Sequence, residues 1–479
     1  MSAVAPATAS AGLNSRLATL AIASAMLMEL IDSTALSTAL PTLAKAFHAE
    51  PVELKLALTS YLLALAVGAP ASGWVAERFG PKRVFQWAMA VFLLGSALCG
   101  LSRSLEALVA SRILQGLGGA MMTPVGRSIV VASAPRERFV SAMAWFSTPA
   151  LVGPLIGPPL AGLILGVADW PWIFYINLPI GLLGMAAVQR YAPKIERPHP
   201  GRFDLRGFLL AASAVTALVV LADTLGLSLL PPAAQLTALV LAVGFGAGFV
   251  VHALRSPRPV MNLRLLAYPT YRAALIGGSL VRLGLGATPF LLPLLLQIGL
   301  GWSPVRAGLV TIASGIGAIL CKPAATYLIR RFGFRPVLIA ASLIAAVTIA
   351  APGGFGQGTP TVFMLAVLGF SGFMRSLHFT SANSLAYADI PKDQIAQAST
   401  LTAVIQQVGM SLGVSFGALA LHLAQGGTPT AALTADRFLL PFLLTGLVSG
   451  LSAPIYWRLK PDAGLAISGR SSEAPPSAP

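Results

Sequence analysis

Apolar residues run along this chain in long blocks, broken by short clusters of Arg, Lys, Gly and Pro and by little regular alternation. A helix needs about 20 mostly apolar residues to cross the hydrocarbon core of a bilayer. Segments 56–76, 84–101 and 170–189 meet that length without a charge. Segment 17–40 carries Glu29 and Asp32, and 104–134 carries Arg112 and Arg127. Segment 139–168 is uncharged but rich in Gly and Pro, and reads as one long span. Next come 207–226 and 233–254, parted by the turn Leu230-Pro231-Pro232, then 273–300, 305–329, 336–351 and 360–388. The run 394–435 is too long for one helix and is ended by Gln425-Gly-Gly-Thr-Pro429; 438–457 closes the series. The pattern predicts fourteen spans.

Composition agrees. Of 479 residues, 56% are hydrophobic and 10% charged, with a mean hydropathy of +0.79. Soluble domains are about a quarter charged. A cytosolic enzyme, a disordered chain and a secreted disulfide scaffold are excluded, leaving an all-α integral membrane protein. The net charge of +16 does not point to nucleic acid, because the basic residues form short clusters between apolar runs without interleaved aromatics. Cys99 and Cys321 both lie within apolar runs and suggest neither a metal set nor a disulfide.

The basic clusters orient the chain. With the N-terminus inside, the inner loops hold 22 Lys and Arg and the outer loops 5, namely Lys45, Lys55, Arg103, Arg306 and Arg437. Cytoplasmic loops are the basic ones, so both termini are expected in the cytosol, and no anionic partner is needed to explain the charge. The first apolar run carries two acids and no basic leader, so it reads as a retained helix rather than a removed signal. The Ala-, Ser- and Pro-rich tails, 1–15 and 464–479, predict disorder.

A repeat divides the chain. Ala71-Ser-Gly-Trp-Val-Ala-Glu-Arg-Phe-Gly-Pro-Lys-Arg-Val-Phe85 aligns without gaps on Ala324-Ala-Thr-Tyr-Leu-Ile-Arg-Arg-Phe-Gly-Phe-Arg-Pro-Val-Leu338, sharing Arg-Phe-Gly. The register predicts six helices (1–190), two inserted helices with flanking loops (191–270), six more (271–457) and a tail (458–479). Parallel halves of this kind imply a midplane site between them and rocking of one on the other.

Within the first copy, Gly73 allows close helix approach and Gly80 allows a positive-φ turn. Glu77 with Arg78, Lys82 and Arg83 can form charge pairs that hold one conformation. This spacing resembles the inner-loop motif of the major facilitator superfamily, with Glu77 where that family more often has Asp. Ile31-Asp32-Ser-Thr-Ala-Leu-Ser-Thr-Ala-Leu-Pro41 is similar to the first-helix motif of its fourteen-helix drug:proton antiporter branch. Arg112-Ile-Leu-Gln115-Gly116-Leu-Gly118 resembles the fourth-helix motif, and Trp172-Ile-Phe-Tyr-Ile-Asn177-Leu-Pro179-Ile-Gly181 the sixth-helix segment. Gly153-Pro154-Leu-Ile-Gly157 resembles the fifth-helix antiporter motif, although Pro149 and Pro158 replace two of its glycines. The resemblance implies a proton-driven exporter of lipophilic small molecules in a bacterial inner membrane. Its energy would come from the proton gradient, with no cofactor, and it would act as a monomer; a periplasmic adaptor stays open.

Ionised acids in hydrocarbon are costly and mark function. Asp32 and Glu29 lie three apart on one helical face, and Asp32 and Arg112 each lie about 12 Å inside the same membrane face. A charge pair that a proton could break is therefore possible, with Asp32, Glu29 and Arg112 as coupling candidates; the other reading is a static pair specifying helix packing. Gln115, Arg282 and Arg375 are candidates for lining a substrate cavity, as is Lys322. Gly116 and Gly119 share the Arg112 face. Asp223 reads as interfacial, His252 and His422 as solvated, and His378 as a packing histidine. No Walker loop, nucleotide fingerprint or metal cluster is present, which leaves ATP-driven transport and membrane enzymology without support. A dedicated transporter of one metabolite and a non-transporting sensor are the alternatives.

Overall fold

The computed structural model describes residues 9–133, 139–193, 195, 201–225, 231–426 and 433–465. The basic positions Arg136, Arg138, Lys194, Arg197 and Arg470, and most of both tails, lie outside them. All the described elements are helical. The N-terminal group comprises α1 (Ala9–Ala46), α2 (Lys55–Phe79), α3 (Pro81–Leu101), α4 (Leu105–Ser133), α5 (Phe139–Ser147), α6 (Pro149–Val167), α7 (Trp172–Tyr175) and α8 (Asn177–Tyr191). Then come α9 (Leu205–Thr224) and α10 (Pro232–Arg255). The C-terminal group is α11 (Pro269–Leu294), α12 (Pro304–Phe332), α13 (Phe334–Ala350), α14 (Thr361–Ala386), α15 (Ile395–Ala424), α16 (Leu439–Gly450) and α17 (Ala453–Trp457).

Thirteen of the described helical segments are long and apolar enough to cross a membrane. The other long helix, α4, spans 29 residues but carries Glu106, Arg112, Gln115 and Arg127, which lower its hydropathy. It sits inside the bundle, packed on α2 and α3. Large apolar side chains such as Leu183, Val347 and Val362 are more than two-thirds exposed on the outside of the bundle, as a surface solvated by lipid requires.

Segment 139–168 forms one membrane-crossing stretch, as expected, with a local interruption of the helix at Thr148 before Pro149, which opens α6 where a missing N–H costs nothing. One sequence expectation changes. The helix of α1 extends back to Ala9, into the segment expected to be disordered. The repeat, in contrast, has a matching backbone. Gly80 ends α2 with φ 87° and Gly333 ends α12 with φ 85°, a conformation that glycine alone adopts without strain.

The cores differ between the two ends of the bundle. At the end away from the basic loops, one buried cluster joins Leu36, Leu40 and Leu58 of the N-terminal group to Phe290, Leu294 and Phe438 of the C-terminal group. Gln297 also donates to the Thr38 carbonyl across the same boundary at 2.8 Å. Towards the basic end the cores separate. One is built from α1–α5 and α8, including Ile22, Phe85 and Ile129, and another from the C-terminal group, including Cys321, Phe334 and Leu338.

Candidate functional site

The centre of the N-terminal group is assembled by close helix packing. A Cβ on Gly95 of α3 would meet the Gln115 backbone of α4 at 2.6 Å, and one on Gly116 would meet the Tyr61 carbonyl of α2 at 2.7 Å. Without side chains at these points the three backbones nearly touch, and Arg112 and Gln115 are driven towards α1. On the other flank of α1, Gly153 of α6 packs against Leu30 and Ile31, and Gly157 against Thr34 and the Ile31 carbonyl. Pro154 lies between them in the same helix. Thus the fifth-span motif seats α6 on the stretch of α1 that carries Asp32. The departure at Pro158 falls on the opposite face, where the Pro158 carbonyl packs against Gly308 of α12.

Asp32 is 1% exposed and Arg112 is fully buried, with Arg112 Nη1 2.6 Å from Asp32 Oδ2. Asn177 of α8 donates to Asp32 Oδ1 at 2.7 Å, and Gln115 donates to the same oxygen at 3.0 Å. Arg112 also donates from Nη1 to Gln115 Oε1 at 2.6 Å and from Nε to the Ala57 carbonyl at 3.2 Å. Its guanidinium lies over the Tyr61 ring, 4.1 Å from the centroid. Ser96 accepts from Asn177 at 2.9 Å and donates to the Phe174 carbonyl at 3.0 Å. Desolvating two charges costs several kcal/mol per ion, and this set of donors offsets it by saturating both carboxylate oxygens.

The structure sorts the remaining candidates. Gln115 is 0% exposed and belongs to the Asp32 network instead of a cavity wall, a correction to its expected place. Glu29, one turn nearer the basic end, is buried too, but it accepts from Thr123 at 3.5 Å and makes no hydrogen bond to the Asp32 cluster. Arg282 lies in the C-terminal group, buried against Phe379 and 3.5 Å from Asn383 Oδ1. Arg375 is half-buried on α14 with no ion pair among the described residues, and Lys322 reaches Thr380 at 3.5 Å. His378 is buried, 3.0 Å from the Tyr456 hydroxyl. None of these touches Asp32.

In the inner-loop motif, Lys82 donates to the Gln189 and Ala192 carbonyls at 2.8 Å, closing the end of α8. Glu77, Arg78 and Arg83 are exposed. Glu77 forms no ion pair among the described residues, and a Cβ on Gly73 would meet nothing within 4 Å. The close approach expected at Gly73 is absent from this conformation.

Two outer positions need correction. Lys55 is not a loop lysine but the first residue of α2, and it is fully buried. Asp223 is 5% exposed and accepts from Thr59 and Ser415 at 2.7 and 2.5 Å. His252 is also anchored, 2.7 Å from Asp204.

Sequence reasoning missed Asn177, Ser96 and Tyr61 as parts of the Asp32 site. Asn177 had a signal, since it is a carboxamide inside an otherwise apolar motif; Ser96 and Tyr61 had none. Among the described residues, no three His, Cys, Asp or Glu side chains come together as a metal site. A cavity of about 690 Å³ at the basic end, lined by Arg272, Asp389, Arg458 and Lys460 among others, lies away from Asp32.

A helical bundle with apolar outer faces and thirteen segments long enough to cross a bilayer, enclosing a hydrogen-bonded ion pair, defines a multi-pass membrane protein; its family and relatives make it a transporter, not an enzyme. The chain belongs to the major facilitator superfamily, whose family model matches it twice, over residues 22–277 and 274–478. It is 37% identical over 452 residues to the "Putative multidrug resistance protein MdtD" of Yersinia pestis (strain Pestoides F), covering 92% of this chain and 96% of that protein. The protein of the same name from Yersinia pseudotuberculosis serotype O:1b (strain IP 31758) matches equally. Among solved structures, the POT family transporter PepTSo superposes with a TM-score of 0.68 at 16% identity, covering 93% of this chain and 99% of that one. A D-xylose-proton symporter gives 0.66 at 15% identity, covering 95% and 99%. These two likenesses show the fold.

Proposed function

We propose that this protein is a proton-driven exporter of several lipophilic small molecules, working by alternating access in a bacterial inner membrane with both termini in the cytosol. The observation that carries this reading is the buried Asp32–Arg112 pair at 2.6 Å. Protonation of Asp32 removes the charge that holds Arg112 and leaves an uncompensated cation in a dry site, so a proton on Asp32 changes the relative stability of the bundle's conformations. The proton enters at Asp32 from outside as substrate leaves, and protonation permits return to the inward-facing state. The proton gradient is the energy source, and the transporter works as a monomer on small substrates and protons. Two further facts support the reading. The most basic loops lie at one end, where the positive-inside rule puts the cytosol, and the largest buried core shared by the N- and C-terminal groups lies at the other end. That is the asymmetry of an inward-facing state. The name printed for the MdtD relatives points to drugs as substrates.

The test is uptake of neutral, anionic and cationic lipophilic dyes by inverted membrane vesicles under a pH gradient, for wild type and Asp32→Asn. Gradient-dependent uptake of several dyes, lost in the variant, is expected. Failure of well-expressed wild type to move any dye would overturn multidrug export and favour a dedicated transporter of one metabolite. Uptake surviving in the variant would make the pair a packing device.

A further inference from the structure

The inserted helices α9 and α10 are joined to the rest of the bundle by a buried polar contact at the end away from the basic loops. Asp223, in the last turn of α9, accepts one hydrogen bond from Thr59 of α2 and one from Ser415 of α15. Those two helices belong to opposite halves and pack along each other. A single carboxylate on a third element therefore bridges both halves at the end that is closed. Bonds from neutral donors to an ionised acceptor are about twice as strong as neutral pairs, and here both carboxylate oxygens are engaged.

A second observation shows that the site is poised for another arrangement. Lys55, one turn before Thr59 on α2, is fully buried, and its Nζ is a buried donor with no hydrogen-bond partner among the described residues. Thr59, which bonds Asp223, also lies 3.2 Å from the Lys55 carbonyl, yet Lys55 and Asp223 are not within ion-pair distance; the ion pairs among the described residues are Asp32–Arg112 and Asp204–His252. An ammonium left unpaired in a dry site is costly, and the nearest relief is the carboxylate that Thr59 and Ser415 now occupy. Separation of the halves at this end takes Ser415 away from Asp223 and frees one oxygen. Because Lys55 and Thr59 share α2, Lys55 stays beside the carboxylate when α15 leaves. His422 of α15 and His252 and Arg255 of α10 lie further along their helices, His252 on Asp204 at the basic end.

We propose that Asp223 is a latch by which the inserted helices take part in alternating access, its carboxylate clasping both halves when the extracellular side is closed and pairing with Lys55 when it opens. The inference rests on the alternating-access reading above, but it assigns a task to a helix pair and to two charged residues that the Asp32 mechanism does not use.

The latch predicts opposite effects for its two partners. Ser415→Ala weakens the closed state and leaves the open-state pair intact. Lys55→Met removes the open-state pair and leaves the clasp intact, while keeping a side chain of similar length. The experiment is pulsed electron spin resonance on the full-length protein in lipid nanodiscs. Spin labels go on Glu50→Cys and Gly358→Cys, which are exposed, on outer loops of opposite halves; Gly358 has open space for a side chain. The native Cys99 and Cys321 are buried. Ser415→Ala is expected to raise the ratio of long to short outer distances by about tenfold, and Lys55→Met to lower it. Shifts of the same sign in both variants, or none in either, would overturn the latch. The readout is a distance distribution and needs no substrate, so failure of dye transport and failure of the latch are told apart. Should Ser415→Ala not yield folded protein, Thr59→Val tests the same clasp with the same expected sign.

Discussion

Asp32 and Arg112, 80 positions apart in the chain, meet as a 2.6 Å ion pair whose side chains are both sealed from solvent. The pair is held from three sides. Gln115 and Asn177 fix the carboxylate, and the Ala57 carbonyl and the Tyr61 ring fix the guanidinium.

Breaking such a pair from one side costs more than removing its charge gently. Arg112→Ala leaves a bare carboxylate in a dry site, and a loss of about 3–5 kcal/mol in stability is expected. Asp32→Asn keeps an oxygen to accept from Gln115 or Asn177, so it is expected to express and to lose gradient-driven uptake. Arg112→Lys does not rescue, because an ammonium cannot reproduce the planar fork and ring stacking. Thermal unfolding in detergent, alongside vesicle uptake, checks all three.

Tyr61 contributes a ring, not a hydroxyl. Its oxygen is buried without a hydrogen-bond partner among the described residues, so Tyr61→Phe is expected to leave the unfolding midpoint unchanged or raised. Tyr61→Leu, which removes the face beneath Arg112, is expected to cost about 2 kcal/mol. A clear loss with Phe would instead assign the hydroxyl a partner, Glu29 being the acid on the neighbouring turn of α1.

Glycines that look alike in sequence differ in what surrounds them. A Cβ on Gly317 would strike the Gly369 carbonyl, and one on Gly372 the Ser314 carbonyl. Alanine at either pushes α12 and α14 apart, at an expected cost of about 1–3 kcal/mol. Gly73 faces open space here, so Gly73→Ala is expected to leave stability unchanged or slightly improved while slowing transport, since close approach would occur only in the other conformation. Unchanged transport would remove Gly73 from the gate.

Asp204 caps α9 outside the membrane span, accepting from the Gly207 and Val260 N–H groups, both at 3.0 Å, and from His252. Partial burial pushes its carboxyl up, but these donors outweigh it and hold the pKa below the ordinary value. The sign follows: the cap stabilises fully above the ordinary Asp pKa of about 4 and fades as pH falls through the lowered folded value. Asp204→Ala is expected to lower the unfolding midpoint at pH 7, and the difference from wild type to shrink in acid.

The order of the apolar helices and the possibility that Asp32 and Arg112 pair were legible in the sequence, because a bilayer imposes a length on every apolar run and residue counting places two charges at one level. Depth is a one-dimensional property, and counting residues measures it. Lateral placement is not. That Asn177 comes to Asp32, that Gln115 joins the ion pair, and that Lys55 and Asp223 are buried together depend on which helices are neighbours and how each is rotated. Small residues such as Gly95 and Gly116 decide this by letting backbones meet at chosen points. Glu29 and Asp32 share a helix face in sequence, yet a few ångströms of lateral packing send one to Thr123 and the other to Arg112.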